Sequence, residues 1–274
     1  MIGIFDSGFG GLTIFKSIEK KLPNYDYIYL GDNARAPYGN HSQSVIYQYT
    51  KEAVDYLFAQ GCSLIILACN TASAEALRKI QQEHLPQKHK NKNVLGVIRP
   101  LAEAASELTK NNIVAVMGTR STVESGAYTR ELKEQSLPRG KTGKKIKVVQ
   151  EACPLLVPLI EESMEKTPAA KMILKKYIRP LKSSHPDTVI LGCTHYGWMQ
   201  RDIQKYFGQK TKVLYSGEIT ATKLAEYLAK HPEYSHTQAK GKRLFLTTDN
   251  SDRFDAAAKK FLGRTIKSKK IDLT

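Results

Sequence analysis

Long apolar runs are missing from this sequence. No stretch of its 274 residues approaches the roughly 20 needed to cross a bilayer, which argues against a helical membrane protein. Cysteine is scarce: there are four, none in a Cys-x-x-Cys pair, so no disulfide framework is indicated. The start, Met1-Ile2-Gly3-Ile4-Phe5-Asp6, lacks the basic and long apolar regions of a signal peptide and reads as a first strand. These absences place the chain in a reducing cytoplasm. Acidic residues are also in deficit, 26 against 42 Lys and Arg, leaving a net charge of +16. Such an excess admits a polyanionic partner. The basic residues fall in short runs (Lys88 to Lys92, Arg139 to Lys147, Arg264 to Lys270) with no aromatics interleaved, so a stacking platform for bases is lacking.

What is present is a steady alternation. Short apolar runs at Ile2–Phe5, Tyr25–Leu30, Leu64–Ala68, Asn93–Val97, Ile113–Met117, Ile146–Gln150, Thr188–Leu191, Lys212–Tyr215 and Arg243–Thr247 read as strands. Amphipathic stretches separate them, such as Ser42 to Ala59, where Val45, Ile46, Tyr49, Ala53, Leu57 and Phe58 share a helical face. A capping box is expected at Ser121 with Glu124. The alternation predicts parallel α/β sheets with helices on both faces.

The two halves rhyme. Leu64-Ile-Ile-Leu-Ala-Cys69-Asn70-Thr71 is echoed by Val189-Ile-Leu-Gly-Cys193-Thr194-His195. Strand Ile2–Phe5 ends in Asp6-Ser7-Gly8, and strand Ile113–Met117 ends in Gly118-Thr119. Asp6 precedes Cys69 by 63 residues and Thr119 precedes Cys193 by 74; the excess is about the size of the basic loop Pro138–Lys147. The reading is two pseudo-symmetric α/β domains with mostly parallel sheets. Residues 1–95 and 210–274 form the first and 96–209 the second, with a linker near Gly96 to Pro100. Ligands in such sheets bind beyond the carboxyl ends of the strands, so the active site is expected in the cleft between the domains.

The loop Asp6-Ser7-Gly8-Phe9-Gly10-Gly11-Leu12 suits an anion at a helix N-terminus. It fails the dinucleotide pattern, because Thr13 stands at the third glycine position. Gly140 to Lys144 is not a P-loop, since Pro138 replaces its first glycine. Asp32 to Gly39 is a loop rich in turn formers and donors. A lone cysteine ending a buried strand is usually a small core hydrophobe, the reading that suits Cys62 and Cys153. Cys69 and Cys193 differ in being matched and flanked by polar groups. A free thiol titrates near ~8.5, so only a small fraction is thiolate at neutral pH. Two such thiols, one ionised and one protonated, can lift a proton from one face of a carbon and return it on the other, titrating as a coupled set. Two rival chemistries stay open at this level. Cys69, Cys193 and His195 could gather around zinc, although no compact ligand pair supports it. Cys193 could be a hydrolase nucleophile with His195 as base, which leaves Cys69 unexplained. Glu151, just before Ala152-Cys153-Pro154, could hold His195 or a substrate amine.

Asp-Ser-Gly-x-Gly-Gly-Leu at 6–12, Pro-Tyr-Gly at 37–39, Ala-Cys-Asn-Thr-Ala-Ser at 68–73, Ala-Cys-Pro-Leu at 152–155 and Gly-Cys-Thr-His-Tyr at 192–196 together resemble the bacterial glutamate racemases. Aspartate racemases differ at the first loop and typically carry an acidic residue where this chain has His195. The resemblance implies interconversion of L- and D-glutamate with no pyridoxal phosphate, other cofactor or metal, in a cytoplasmic homodimer that supplies D-glutamate for peptidoglycan. It implies that Cys69 takes the α-proton from D-glutamate and Cys193 from L-glutamate, with Asp6 assisting the first and His195, with Glu151 nearby, the second. Ser7, Pro37, Tyr38, Gly39, Asn70, Thr71, Thr119, Thr122 and Thr194 would line the substrate. The alternatives are an aspartate or broad-specificity racemase and, from another class, a basic protein that binds nucleic acid or DNA gyrase. One departure stands out: Gly197-Trp198-Met199 follows Tyr196, where the family usually continues with Pro-Leu.

Overall fold

The computed structural model describes residues 1–135, 145–234 and 241–273. Most of the basic loop, including Gly140 to Lys144, lies outside them. Among the described residues the strands are β1 (Ile2–Asp6), β2 (Tyr27–Gly31), β3 (Leu64–Leu67), β4 (Asn93–Gly96), β5 (Ile113–Gly118), β6 (Lys147–Ala152), β7 (Thr188–Gly192), β8 (Lys212–Leu214), β9 (Arg243–Thr247) and β10 (Ser268–Lys270). They form two sheets, ordered β10-β9-β2-β1-β3-β4 and β6-β5-β7-β8, and every described pairing is parallel. Parallel strands need crossovers, and the intervening helices supply them. They also cover the sheet faces, which is why β1, β2, β3 and β7 are buried along their whole length and read as unbroken apolar runs.

The chain divides into two compact units, Met1–Val97 with Gly217–Thr274, and Ile98–Ser216. The order β2-β1-β3-β4 in one sheet is repeated as β6-β5-β7-β8 in the other, so the sequence rhyme corresponds to a repeated topology. Two expectations need correction. Residues 210–216 do not belong with the C-terminal return, because Lys212–Leu214 pairs with Thr188–Ile190 of β7. The capping box at Ser121 is also not formed. Thr119, extended at φ −70° and ψ 165°, caps the helix Arg120–Glu124 by accepting the Thr122 N–H at 3.2 Å. The strand simply runs one residue further than expected, to Gly118, and the helix starts at once. The edge strand β10, Ser-Lys-Lys, carries no apolar pattern that would mark it in the sequence.

Two features hold the C-terminal return in place. β9 pairs in register with β2, from Tyr27 opposite Arg243 to Gly31 opposite Thr247. Below it, Phe15 packs against Tyr27, Tyr29 and Phe245 with ring centroids 5.6, 6.0 and 5.5 Å away, in edge-on geometry. Tilted contacts at 6.3 and 6.0 Å join Tyr29 to Phe245 and Phe254. Such rings combine large buried area with favourable quadrupole contacts. Phe245→Ala is expected to cost about 3–5 kcal/mol, read by urea unfolding. A loss below about 1 kcal/mol would show that this cluster does not anchor the returning segment.

Candidate active-site residues

In the first unit the groups gather at the ends of β1 and β3. Phe5 lies opposite Leu67, and two residues further on the Ser7 Oγ meets the Cys69 Sγ at 3.3 Å. Asp6 is fully buried, and its Oδ2 accepts the Gly8 N–H at 3.0 Å, which folds the loop back. The helix that follows comes close to this carboxyl: a Cβ on Gly11 would lie 2.5 Å from the Asp6 Cβ and 2.9 Å from the Tyr29 Oη. Only glycine permits that approach. Cys69 is extended and caps the helix Asn70–Glu75, its sulfur accepting the Ala72 N–H at 3.5 Å. A helix N-terminus favours a negative sulfur. Asn70 and Thr71 are buried in the first turn.

The Asp32–Gly39 loop is braced from below. Arg35 Nε donates to Asp32 at 2.7 Å and its other arm pairs with Glu52. Thr248 Oγ1 donates to the second Asp32 oxygen at 2.8 Å. The Tyr38 hydroxyl also donates to Asp32, at 2.5 Å, and its ring is 1% exposed. Tyr38 is therefore a brace, and what this loop can offer a ligand is main chain around Tyr38 and Gly39. Pro37, joined to Ala36 through a cis peptide, is exposed.

In the second unit Gly118 lies opposite Gly192. Thr119 and Cys193 are the residues that directly follow this paired end. Thr119 Oγ1 donates to Thr122 Oγ1 at 2.9 Å. Thr194 and His195 are buried after the thiol. The next residue, Tyr196, ties the strand ends together, its hydroxyl 2.8 Å from the Cys153 carbonyl oxygen and 3.2 Å from that of Gly118. The departure at 197 has a steric reason. A Cβ on Gly197 would lie 2.4 Å from the Tyr215 ring, so Tyr215 occupies the space a proline would need.

His195 does not pair with Glu151. Its Nδ1 lies 4.0 Å from the Cys193 sulfur and its Nε2 lies 3.0 Å from Glu161 Oε1. Glu161 ends the helix Leu156–Glu161. Glu151 sits on β6 opposite Met117, half-buried, with its carboxyl pushed up by burial. After burial itself, its charge is the next cause that raises the Cys153 thiol. The sequence does not mark Glu161, because Glu161-Glu162 reads as the polar end of a short amphipathic helix. Cys62 and Cys153 are core thiols, 1% and 0% exposed, and burial pushes Cys62 up to about 12 and Cys153 higher still.

The model of the Asp/Glu/hydantoin racemase family matches residues 2–224. The chain belongs to that family. It is 38% identical to the glutamate racemase of Geobacter metallireducens, over 96% of this chain and 92% of that protein. The crystal structure of glutamate racemase isoform RacE1 from Bacillus anthracis superposes with a TM-score of 0.90 at 34% identity, covering 100% of this chain and 97% of that one. The glutamate racemase of Francisella tularensis, solved in complex with D-glutamate, gives 0.87 at 30% identity, covering 99% and 97%.

Within this family member, the surroundings of His195 favour its charged form. Burial would strip its proton, but hydrogen bonds to Cys193 and Glu161 outweigh burial and raise its pKa from 6.5 to about 10. The imidazolium thus lies between a sulfur and a carboxylate. A group raised on folding stabilises fully below its unfolded value near ~6.5, and that contribution disappears as pH rises through about 10. Glu161→Gln should therefore flatten the decline in stability between pH 6 and 10, measured by urea unfolding. The same variant should move the alkaline limb of kcat/KM to lower pH and reduce it about 10-fold or more. Glu151→Gln should leave that limb in place. An unmoved limb in Glu161→Gln would show that Glu161 does not govern His195.

Proposed function

We propose that this chain interconverts L- and D-glutamate, with Cys69 and Cys193 as the two acid–base groups. One thiolate removes the α-hydrogen as a proton, leaving the electron pair on a carbanion stabilised toward the carboxylate. The other thiol delivers its proton to the opposite face. The first sulfur ends as thiol and the second as thiolate, so the direction of the next turnover is set by which sulfur holds the proton. On this reading Cys69 serves D-glutamate and Cys193 serves L-glutamate. The observation that carries it is the matched placement of the two sulfurs, each one or two residues beyond the corresponding strand of a repeated topology. A relative that binds D-glutamate supports the substrate.

Each sulfur has its own helper chemistry. Ser7 Oγ and the Ala72 N–H contact Cys69, while the His195 imidazolium, steadied by Glu161, stands beside Cys193. Asp6 shapes the loop at the first sulfur. The main chain at Tyr38 and Gly39, with Asn70, Thr71, Thr119, Thr122 and Thr194, holds the carboxylates and ammonium. The reading extends to a cytoplasmic homodimer that supplies D-glutamate for peptidoglycan. Nucleic-acid or gyrase contact rests on the net charge of +16 and the short basic runs, and most of the run from Arg139 lies outside the described residues.

Purified protein incubated with L-glutamate in heavy water, without added cofactor, should lose optical rotation and gain deuterium at the α-carbon. Cys69→Ala and Cys193→Ala should each lower two-way racemisation by at least about 10² to 10⁴-fold. Full two-way turnover in either variant would end the two-thiol reading.

A further inference from the structure

Away from both cysteines, three metal-ligating side chains of the first unit converge. We propose that Asp55, His84 and His89 form a binding site for a zinc-class divalent cation. This rests on geometry independent of the racemase reading. His84 Nε2 lies 2.6 Å and His89 Nε2 2.7 Å from the same oxygen, Asp55 Oδ1. The three ligand atoms all lie within 4.8 Å of one another, the one such group among the described residues.

The backbone explains the convergence. Asp55 faces out of the helix Gln43–Ala59. The helical run that begins after Cys69 passes through a π-helical turn, Ile80–His84, before its last turn Leu85–Lys88. Such π turns are rare and often sit at functional sites. His84 closes the π turn. His89 leaves the helix at φ −137° and ψ 51°, and its ring comes back to within 5.5 Å of the His84 ring. The Phe58 ring, 4.6 Å away, holds it there. His84 is 7% exposed and the His89 side chain 12%, while the Asp55 side chain, at 22%, leaves a way in.

Two imidazoles and one carboxylate with an open side suit zinc, cobalt or nickel rather than magnesium or calcium, which prefer all-oxygen shells. At metal–ligand distances of about 2.0–2.2 Å, tetrahedral ligands stand about 3.3 Å apart, so the nitrogen–oxygen separations of 2.6 and 2.7 Å need to widen by about 0.6–0.7 Å. Each neutral ring must carry its proton on Nδ1 to free Nε2. Lys88 donates to the other Asp55 oxygen at 2.9 Å and competes electrostatically. An ion here would clip the Asp55 helix to the far end of the helical run that Cys69 caps.

The test titrates the full chain, in a Cys69→Ala/Cys193→Ala background that removes both strand-end thiols, with zinc chloride by calorimetry and with cobalt chloride by visible absorption. One equivalent should bind, raise the melting temperature, and give the intense bands of tetrahedral cobalt without a thiolate charge-transfer band. Asp55→Asn and His89→Gln, which keep size and shape, should each weaken binding at least 10-fold, and Lys88→Gln should tighten it. Circular dichroism checks that each variant is folded. Absence of uptake by the parent, or equal uptake by folded Asp55→Asn and His89→Gln, overturns the proposal.

Discussion

The parallel ladder is the constraint on which the rest depends. Parallel neighbours end at the same edge, and a helix must leave that edge to return the chain to the other. Once Phe5 is paired with Leu67 and Gly118 with Gly192, the residues just beyond leave neighbouring strand ends at the same edge. That is why Ser7 touches Cys69 and why Thr119 and Cys193 each directly follow a paired strand end. Neither thiol needs a special loop to place it; each is the first or second residue after a buried strand. A slip of one residue in either ladder would turn the whole apolar set of that strand to the wrong face, so the register protecting the core also protects the chemistry.

The two units solve the same problem with different partners. At Cys69 the sulfur is at a helix N-terminus and receives a main-chain N–H, a neutral donor fixed by backbone geometry. At Cys193 the neighbour is an imidazolium held by Glu161, a full charge whose presence depends on pH. The first environment is built from rigid dipoles and the second from a titratable relay. A repeated topology therefore does not produce a symmetric site, and the two directions of a reaction using both sulfurs would answer differently to pH. The core thiols Cys62 and Cys153 show the contrast: burial pushes each of them up and leaves it chemically quiet.

Glycine and tyrosine work as complementary parts around these groups. Gly11 lets a helix approach the Asp6 carboxyl, and Gly197 leaves room for the Tyr215 ring. Tyr38 and Tyr196 fill the space between strand ends and loops, and spend their hydroxyls on Asp32 and on main-chain carbonyls. The sequence motifs containing these residues thus mix groups that face a ligand with groups that hold the frame, and motif membership alone does not separate them.

Strand positions, the repeat, and the two matched strand-end cysteines were legible in the sequence because they follow local rules: buried parallel strands are unbroken apolar runs, and a cysteine followed by small polar residues at a strand end is conspicuous. What only tertiary structure decided were the relations between distant elements. The carboxylate that serves His195 is Glu161, not Glu151, because the helix Leu156–Glu161 ends with Glu161 3.0 Å from His195 Nε2 while Glu151 stays on the edge strand β6 beside Cys153. Lys212–Leu214 joined the second sheet because β7 offered it an open edge, a fact absent from three residues of sequence. β10 exists only because β9 has a free side. Asp55, His84 and His89 carry no recognisable spacing along the chain, and it is a π turn and a neighbouring helix that bring them together. Local pattern reports which residues are buried or can react; which of them meet is settled by packing over long range.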